Sequence, residues 1–240
     1  MTQKAPGQAQ PLLRVATPTV PARAVALILH GGSATSTRPV TWRSLASARM
    51  IPFAAAARRI GQGEGLVVAR LRYGQRGWNG AAEAPVHDAR WALDELSARF
   101  PALPIGLIGH SMGGRTALRV ADHSSVRSVV ALAPWIEADD PVEPLQERRV
   151  LVMHGDGDRI TDPRASAEFT ARLAGLASSA TYIAVRGEKH AMLRRPRLWH
   201  RLAAGYTVGV LFGKIDRESA GGELANTLNQ ALGGQPKLTL

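Results

Sequence analysis

The stretch LIGHSMGGR, residues 107–115, sets Ser111 between Gly109 and Gly113 at two-residue spacing, directly after an apolar run and directly before a helix-like one. This is a G-x-S-x-G pattern in the strand-to-helix setting that a nucleophile elbow requires. The turn is so tight that the flanking residues must be small. The serine hydroxyl is thereby lifted clear of the chain, and the next backbone N–H, from Met112, points to where a carbonyl oxygen would become an oxyanion.

Outward from this turn, short β-type runs recur: 24–32 (AVALILHGG), 65–73 (GLVVARLRY), 105–111 (IGLIGHS), 126–134 (VRSVVALAP), 149–156 (RVLVMHGD) and 181–187 (TYIAVRG). Each is largely continuous in apolar residues rather than alternating, the signature of strands buried on both faces of a parallel sheet. Segments of helical period separate them, among them 44–63, 85–100, 114–124, 163–177 and 196–212. In the second, Val86, Ala89, Trp91, Leu93 and Leu96 are expected on the buried face, with Asp88, Asp94, Glu95 and Arg99 on the other. Alternating strands and helices with short connections predict an α/β fold, doubly wound around a mostly parallel sheet. The segment 134–148 is too short and too poor in apolar periodicity to be a cap domain.

The organisation expected is an N-terminal extension over 1–23, contributing at most an edge strand, one domain over 24–213, and a tail over 214–240. That tail has a short amphipathic helix around 224–232 and a polar, mobile end. At 240 residues, 45% hydrophobic and 20% charged, the chain has the composition of a globular protein with a substantial core. Cysteine is absent, which excludes disulfides, thiolate metal sites and a cysteine nucleophile. Residues 1–24 show no apolar leader segment, and no window approaches a spanning helix, so a cytoplasmic location is expected.

Polar and glycine-rich clusters follow the strand runs, as they should if ligands bind beyond the carboxyl ends of an open parallel sheet. A serine nucleophile needs a base, and the base needs an orienting acid; on this topology they follow in the order serine, acid, histidine. His190, in RGEKHAML (186–193), stands just beyond the last strand run. The other histidines lie in helices or at earlier strand ends. For the acid, MHGDGDRITDP (153–163) offers Asp156, Asp158 and Asp162. Asp162 precedes Pro163 and reads as the N-cap of the next helix, which leaves Asp156 and Asp158.

With HGG (30–32), GHSMGG (109–114), HGDGDRIT (154–161) and GEKH (187–190) in this order, the chain resembles the α/β-hydrolase superfamily over about residues 24–213. The resemblance implies that the acid is the final aspartate of an H-G-x-x-D pattern, here Asp158. It implies a second oxyanion N–H from the loop after His30-Gly31, from Gly32, with Ser33 the alternative. Without a cap, the chain is similar to dienelactone hydrolases, small esterases and thioesterases, and cutinase-like polyester hydrolases. In the last group an aromatic residue lines the acyl groove, which makes Trp135 in APW (133–135) a candidate substrate wall and Trp78 a candidate second rim. Absence of a leader and of cysteines sets the chain apart from secreted polyester hydrolases.

The function expected is a serine hydrolase, free of cofactors and metal, cleaving small ester or thioester substrates. A competing reading from another class is a non-catalytic binding protein on the same scaffold. The net charge of +11 raises a third, association with nucleic acid or a membrane surface, but no nucleic-acid signature is present and specific nucleic-acid binding is not expected. That third reading would require arginines gathered on one face; LRRPRLWHR (193–201) is the best local candidate.

Overall fold

In the computed structural model, which describes residues 9–213 and 222–240, eight strands form one sheet. They are β1 (Leu12–Ala16), β2 (Ala24–Leu29), β3 (Leu66–Arg72), β4 (Ile105–His110), β5 (Val126–Leu132), β6 (Arg149–Gly155), β7 (Ser179–Val185) and β8 (Lys237–Thr239). Their spatial order is β1-β3-β2-β4-β5-β6-β7-β8. All neighbours are parallel except β1, which runs antiparallel to β3. The six expected runs thus supply the six central strands. β2 and β4 are buried along their whole length, as continuous apolar runs demand.

Among the described residues seven α-helices flank the sheet: α1 (Leu45–Arg49), α2 (Ile51–Gly61), α3 (Ala84–Arg99), α4 (Met112–Arg119), α5 (Pro163–Arg172), α6 (Pro196–Phe212) and α7 (Gly222–Leu232). On one face, Val86, Leu93 and Leu96 of α3, Ala117 and Leu118 of α4 and Phe169 of α5 pack on alternate strand residues such as Val25, Leu27 and Leu107. On the other, Phe53 of α2, Trp199, Leu202 and Tyr206 of α6 and Leu228 of α7 pack on Ala26, Ile28 and Ile108. The two-residue alternation of a strand assigns each side chain to one layer.

Three local expectations are corrected. Trp91 stands 36% exposed, whereas Asp88 is buried and accepts a hydrogen bond from Gly74 N at 2.8 Å. The carboxylate is kept in the interior because it satisfies a backbone donor in the loop after β3. The end of the tail is not a loose polar segment: Lys237–Thr239 adds to β7 as the last strand, with Tyr182 N donating to Pro236 O and Leu240 N to Ala184 O, each at 2.9 Å. The first part of that tail, 214–221, and residues 1–8 lie outside the described residues.

Because β2 to β7 are parallel, the segments that follow them meet at one edge. The loop after β5 carries only a 3₁₀ turn at Glu143–Leu145, and no cap covers that edge. No helix among the described residues is long and apolar enough to cross a membrane.

Candidate active site

Ser111 joins β4 to α4 with φ 55° and ψ −121°, a backbone conformation that non-glycine residues rarely adopt. Such a conformation costs on the order of 1–3 kcal/mol and persists only where the surroundings enforce it. They do so here. A Cβ on Gly109 would overlap the Gly113 carbonyl, and one on Gly113 would stand 2.5 Å from the His30 oxygen. Ser111 N donates to Leu132 O at 2.9 Å, and Ser111 O accepts from the N–H groups of Gly114, Arg115 and Trp135. The pair of glycines therefore lets α4 start hard against β2, and the serine is the residue forced outward.

The N–H groups of Met112 and Gly32 have no acceptor among the described residues, whereas that of Ser33 is committed to Arg76 O at 3.1 Å. Of the two candidates in the loop after β2, the free donor is Gly32. A side chain there would strike the Arg76 carbonyl and stand 2.5 Å from the Met112 sulfur. Glycine is what allows the two N–H groups to approach.

Asp158 is the most heavily hydrogen-bonded carboxylate at this edge. Its Oδ2 lies 2.8 Å from His190 Nδ1, 3.0 Å from His154 Nε2 and 2.9 Å from Thr161 Oγ1. Its Oδ1 accepts from Ile160 N at 2.8 Å and Thr161 N at 3.2 Å. Burial acts to raise its pKa, but the hydrogen bonds from His154, Ile160 and His190 outweigh it and hold the carboxyl well below the usual range. Asp156 instead accepts from Gly187 N at 2.6 Å, and Asp162 caps α5 by accepting from Arg164 N at 2.8 Å. Of the three aspartates, Asp158 alone meets His190.

With Nδ1–H donated to Asp158, His190 keeps Nε2 free to accept a proton. Ser111 Oγ and His190 share no hydrogen bond in this structure, an arrangement common before substrate is bound. Two groups fix the base. His110 Nε2 lies 3.0 Å from the His190 carbonyl and must donate to it, leaving Nδ1 bare, buried and unpartnered. Burial, with the nearby His190, pushes the His110 pKa down to about 3, so the ring stays neutral. Glu188, 1% exposed, accepts from Lys189 N, Arg194 N, Arg195 N and Trp199 Nε1 at 3.0–3.2 Å and so ties the loop to the start of α6.

The tryptophans flank a buried arginine. The Arg115 guanidinium lies 4.4 Å from the Trp78 ring and 4.6 Å from the Trp135 ring, and pairs with Glu137 at 2.5 Å and Asp140 at 3.0 Å. Trp135 is half-buried, and its N–H donates to Ser111 O at 3.3 Å, beside the serine. Trp78, expected at the rim, is only 4% exposed and backs this cluster from the core side. Its indole is apolar surface that Arg115 and Trp135 cover, which a loop position does not reveal.

The sequence reading missed His154, Thr161, Glu188 and Arg115. For His154 a signal existed: it opens the same H-G-x-x-D pattern that singles out Asp158. Among the described residues no cluster of three or more histidine, cysteine or acidic groups could hold a metal ion.

Residues 20–149 match the family described as serine aminopeptidase, S33. The matched segment contains Ser111 and ends before Asp158 and His190. No curated protein matches the chain by sequence. Similar solved structures include an α/β serine hydrolase homologue from Coxiella burnetii, 16% identical, covering 84% of this chain and 93% of that one with a TM-score of 0.60. Another is an α/β serine hydrolase without lid from Xanthomonas campestris, 20% identical, covering 84% and 94% with a TM-score of 0.57. A third is Est1E from Butyrivibrio proteoclasticus with ferulic acid bound, 15% identical, covering 85% and 96% with a TM-score of 0.62. These likenesses show the fold.

Proposed function

The chain belongs to the serine aminopeptidase S33 family of the α/β-hydrolase superfamily, and from that premise we propose that it is a serine hydrolase cleaving small, accessible carboxylic esters or thioesters through an acyl-enzyme. The observation that carries the reading is the 2.8 Å contact of Asp158 with His190 Nδ1 at the same sheet edge as the strained Ser111.

On this reading the Ser111 hydroxyl attacks the acyl carbonyl while His190 Nε2 takes its proton. The Ser111–His190 hydrogen bond closes as substrate seats. Charge builds on the carbonyl oxygen, where the unpaired N–H groups of Met112 and Gly32 receive it; a donor of this kind is worth about 3–4 kcal/mol in the transition state. Asp158 stabilises the imidazolium and does not itself take the proton, in keeping with its depressed pKa. His190 then protonates the departing alkoxide or thiolate. Water, deprotonated by His190, attacks the acyl carbon and releases the acid, restoring Ser111.

The uncapped edge favours short acyl groups, and on this reading Trp135, whose backbone N–H meets Ser111 O, serves as their apolar wall. Est1E with ferulic acid bound supports an ester substrate; the family's description allows an amide. The test is turnover of p-nitrophenyl esters of increasing acyl length by the wild type and Ser111→Ala. Expected is hydrolysis of the short esters that falls to background in the variant. Turnover equal in both proteins would overturn the proposal.

A further inference from the structure

Six arginines line two adjoining hollows around α2. Between α2 and α6, away from Ser111, lies a groove of about 560 Å³ whose lining includes Arg58 and Arg59 on one wall and Arg197, His200 and Arg201 on the other, with no acidic residue. A smaller cavity of about 270 Å³ adjoins it through Ala55 and Arg58 and adds Arg14 and Arg70. Among the described residues, none of these six arginines has a carboxylate partner, since the ion pairs formed by arginine use Arg23, Arg90, Arg115 and Arg119.

Two further observations show how unbalanced the positive charge is here. The first turn of α6 has Pro196 and Arg197 and no acid, although a helix N-terminus carries partial positive charge and favours carboxylates. Arg58 and Arg59 suit the carboxyl end of α2, but Arg197 and Arg201 face them from a helix end of like sign. In the adjoining cavity Arg14 and Arg70 both stand over the Trp42 ring, 4.4 and 5.2 Å from its centroid, and the pKa of Arg70 is lowered, by burial and by the charge of Arg14. The mutual repulsion of Arg58, Arg59, Arg197 and Arg201 across the α2–α6 groove falls when a multiply charged anion enters.

We propose that the α2–α6 groove binds a small anion carrying two or more phosphate groups, independently of ester hydrolysis. Guanidinium groups hold phosphate oxygens in paired hydrogen bonds, and the groove, open to solvent, is large enough for a small polyanion. His200, packed edge-on against Phe53 with ring centroids 4.5 Å apart, is held at the groove wall as an additional polar contact.

Calorimetric titration with sodium tripolyphosphate at 150 mM salt tests this, beside a single-stranded DNA oligonucleotide and phosphatidylglycerol vesicles. Expected is saturable binding of one tripolyphosphate per chain, weakened at least tenfold in Arg59→Gln/Arg201→Gln. A double variant of equal charge elsewhere, Arg127→Gln/Arg164→Gln, should bind as the wild type does. Without ligand, Arg59→Gln/Arg201→Gln should melt no lower than the wild type and hydrolyse the test ester equally. The proposal is overturned by absence of saturable tripolyphosphate binding, by equal weakening in both double variants, or by binding of the oligonucleotide or vesicles alone.

Discussion

Acidification from pH 7 to 4.5 should cost this protein a large share of its stability, through His30 and His110. His30 accepts from Tyr73 N at Nε2 and donates Nδ1–H to Gly31 O at 2.6 Å, so a second proton would confront a backbone N–H. Burial is the main cause that pushes its pKa down to about 4, and that of His110 down to about 3. In the unfolded chain both titrate near 6.5. Below that value the unfolded state binds more protons, so stability falls with pH by about 1.36 kcal/mol per unit and group. At pH 4.5 the two together forfeit about 5 kcal/mol, against a total of about 5–15 for an ordinary domain. Asp158 acts in a separate window: its depressed pKa stabilises the fold above about 3.9, and that contribution is lost only below it. Urea unfolding at half-unit pH steps reads the slope directly. His30→Gln should reduce the slope between pH 6 and 4.5 by about 1.36 kcal/mol per unit, whatever it does to stability at pH 7. A stability that is flat over this range, or a slope unchanged in the variant, would refute the reasoning.

Other perturbations separate the parts of the site. Asp158→Asn leaves His154 and His190 without their shared acceptor and disturbs the His190 tautomer, so kcat should fall about 10³–10⁴-fold in an ester assay. Gly32→Ala should lose about 1–3 kcal/mol in chemical unfolding, because the new methyl meets the Arg76 carbonyl and the Met112 side chain, and should lower kcat more than it raises KM. Arg115→Met should cost about 3 kcal/mol by taking from the buried Asp140 its closest cation and leaving only Arg119, at 3.9 Å, read as a lower urea midpoint.

Much of the fold was legible because strands buried on both faces leave continuous apolar runs, and β2 to β7 all do. The outer strands carry no such mark. β1 alternates exposed and half-buried residues, and β8 is three residues ending a polar tail. Ser111 and His190 could be singled out because tight turns demand glycine and the partners follow the serine in a fixed order; Asp158 was separated from Asp156 only by the resemblance of its H-G-x-x-D pattern. What surrounds them could not. Thr161 and Glu188 act through contacts that loop conformation alone creates, whereas His154, in β6, opens the H-G-x-x-D pattern, and the burial of Asp88 depends on a backbone donor fourteen residues away. Arg115 carries no mark of burial in the sequence; the packing of Trp78 and Trp135 on its guanidinium makes it interior.

The central claim, that Ser111 is a nucleophile activated by His190, is tested most directly by a fluorophosphonate probe followed by peptide mapping. Stoichiometric modification of Ser111, absent in Ser111→Ala and strongly slowed in His190→Ala, is the predicted result. An unmodified Ser111, or labelling that proceeds equally without His190, would contradict it.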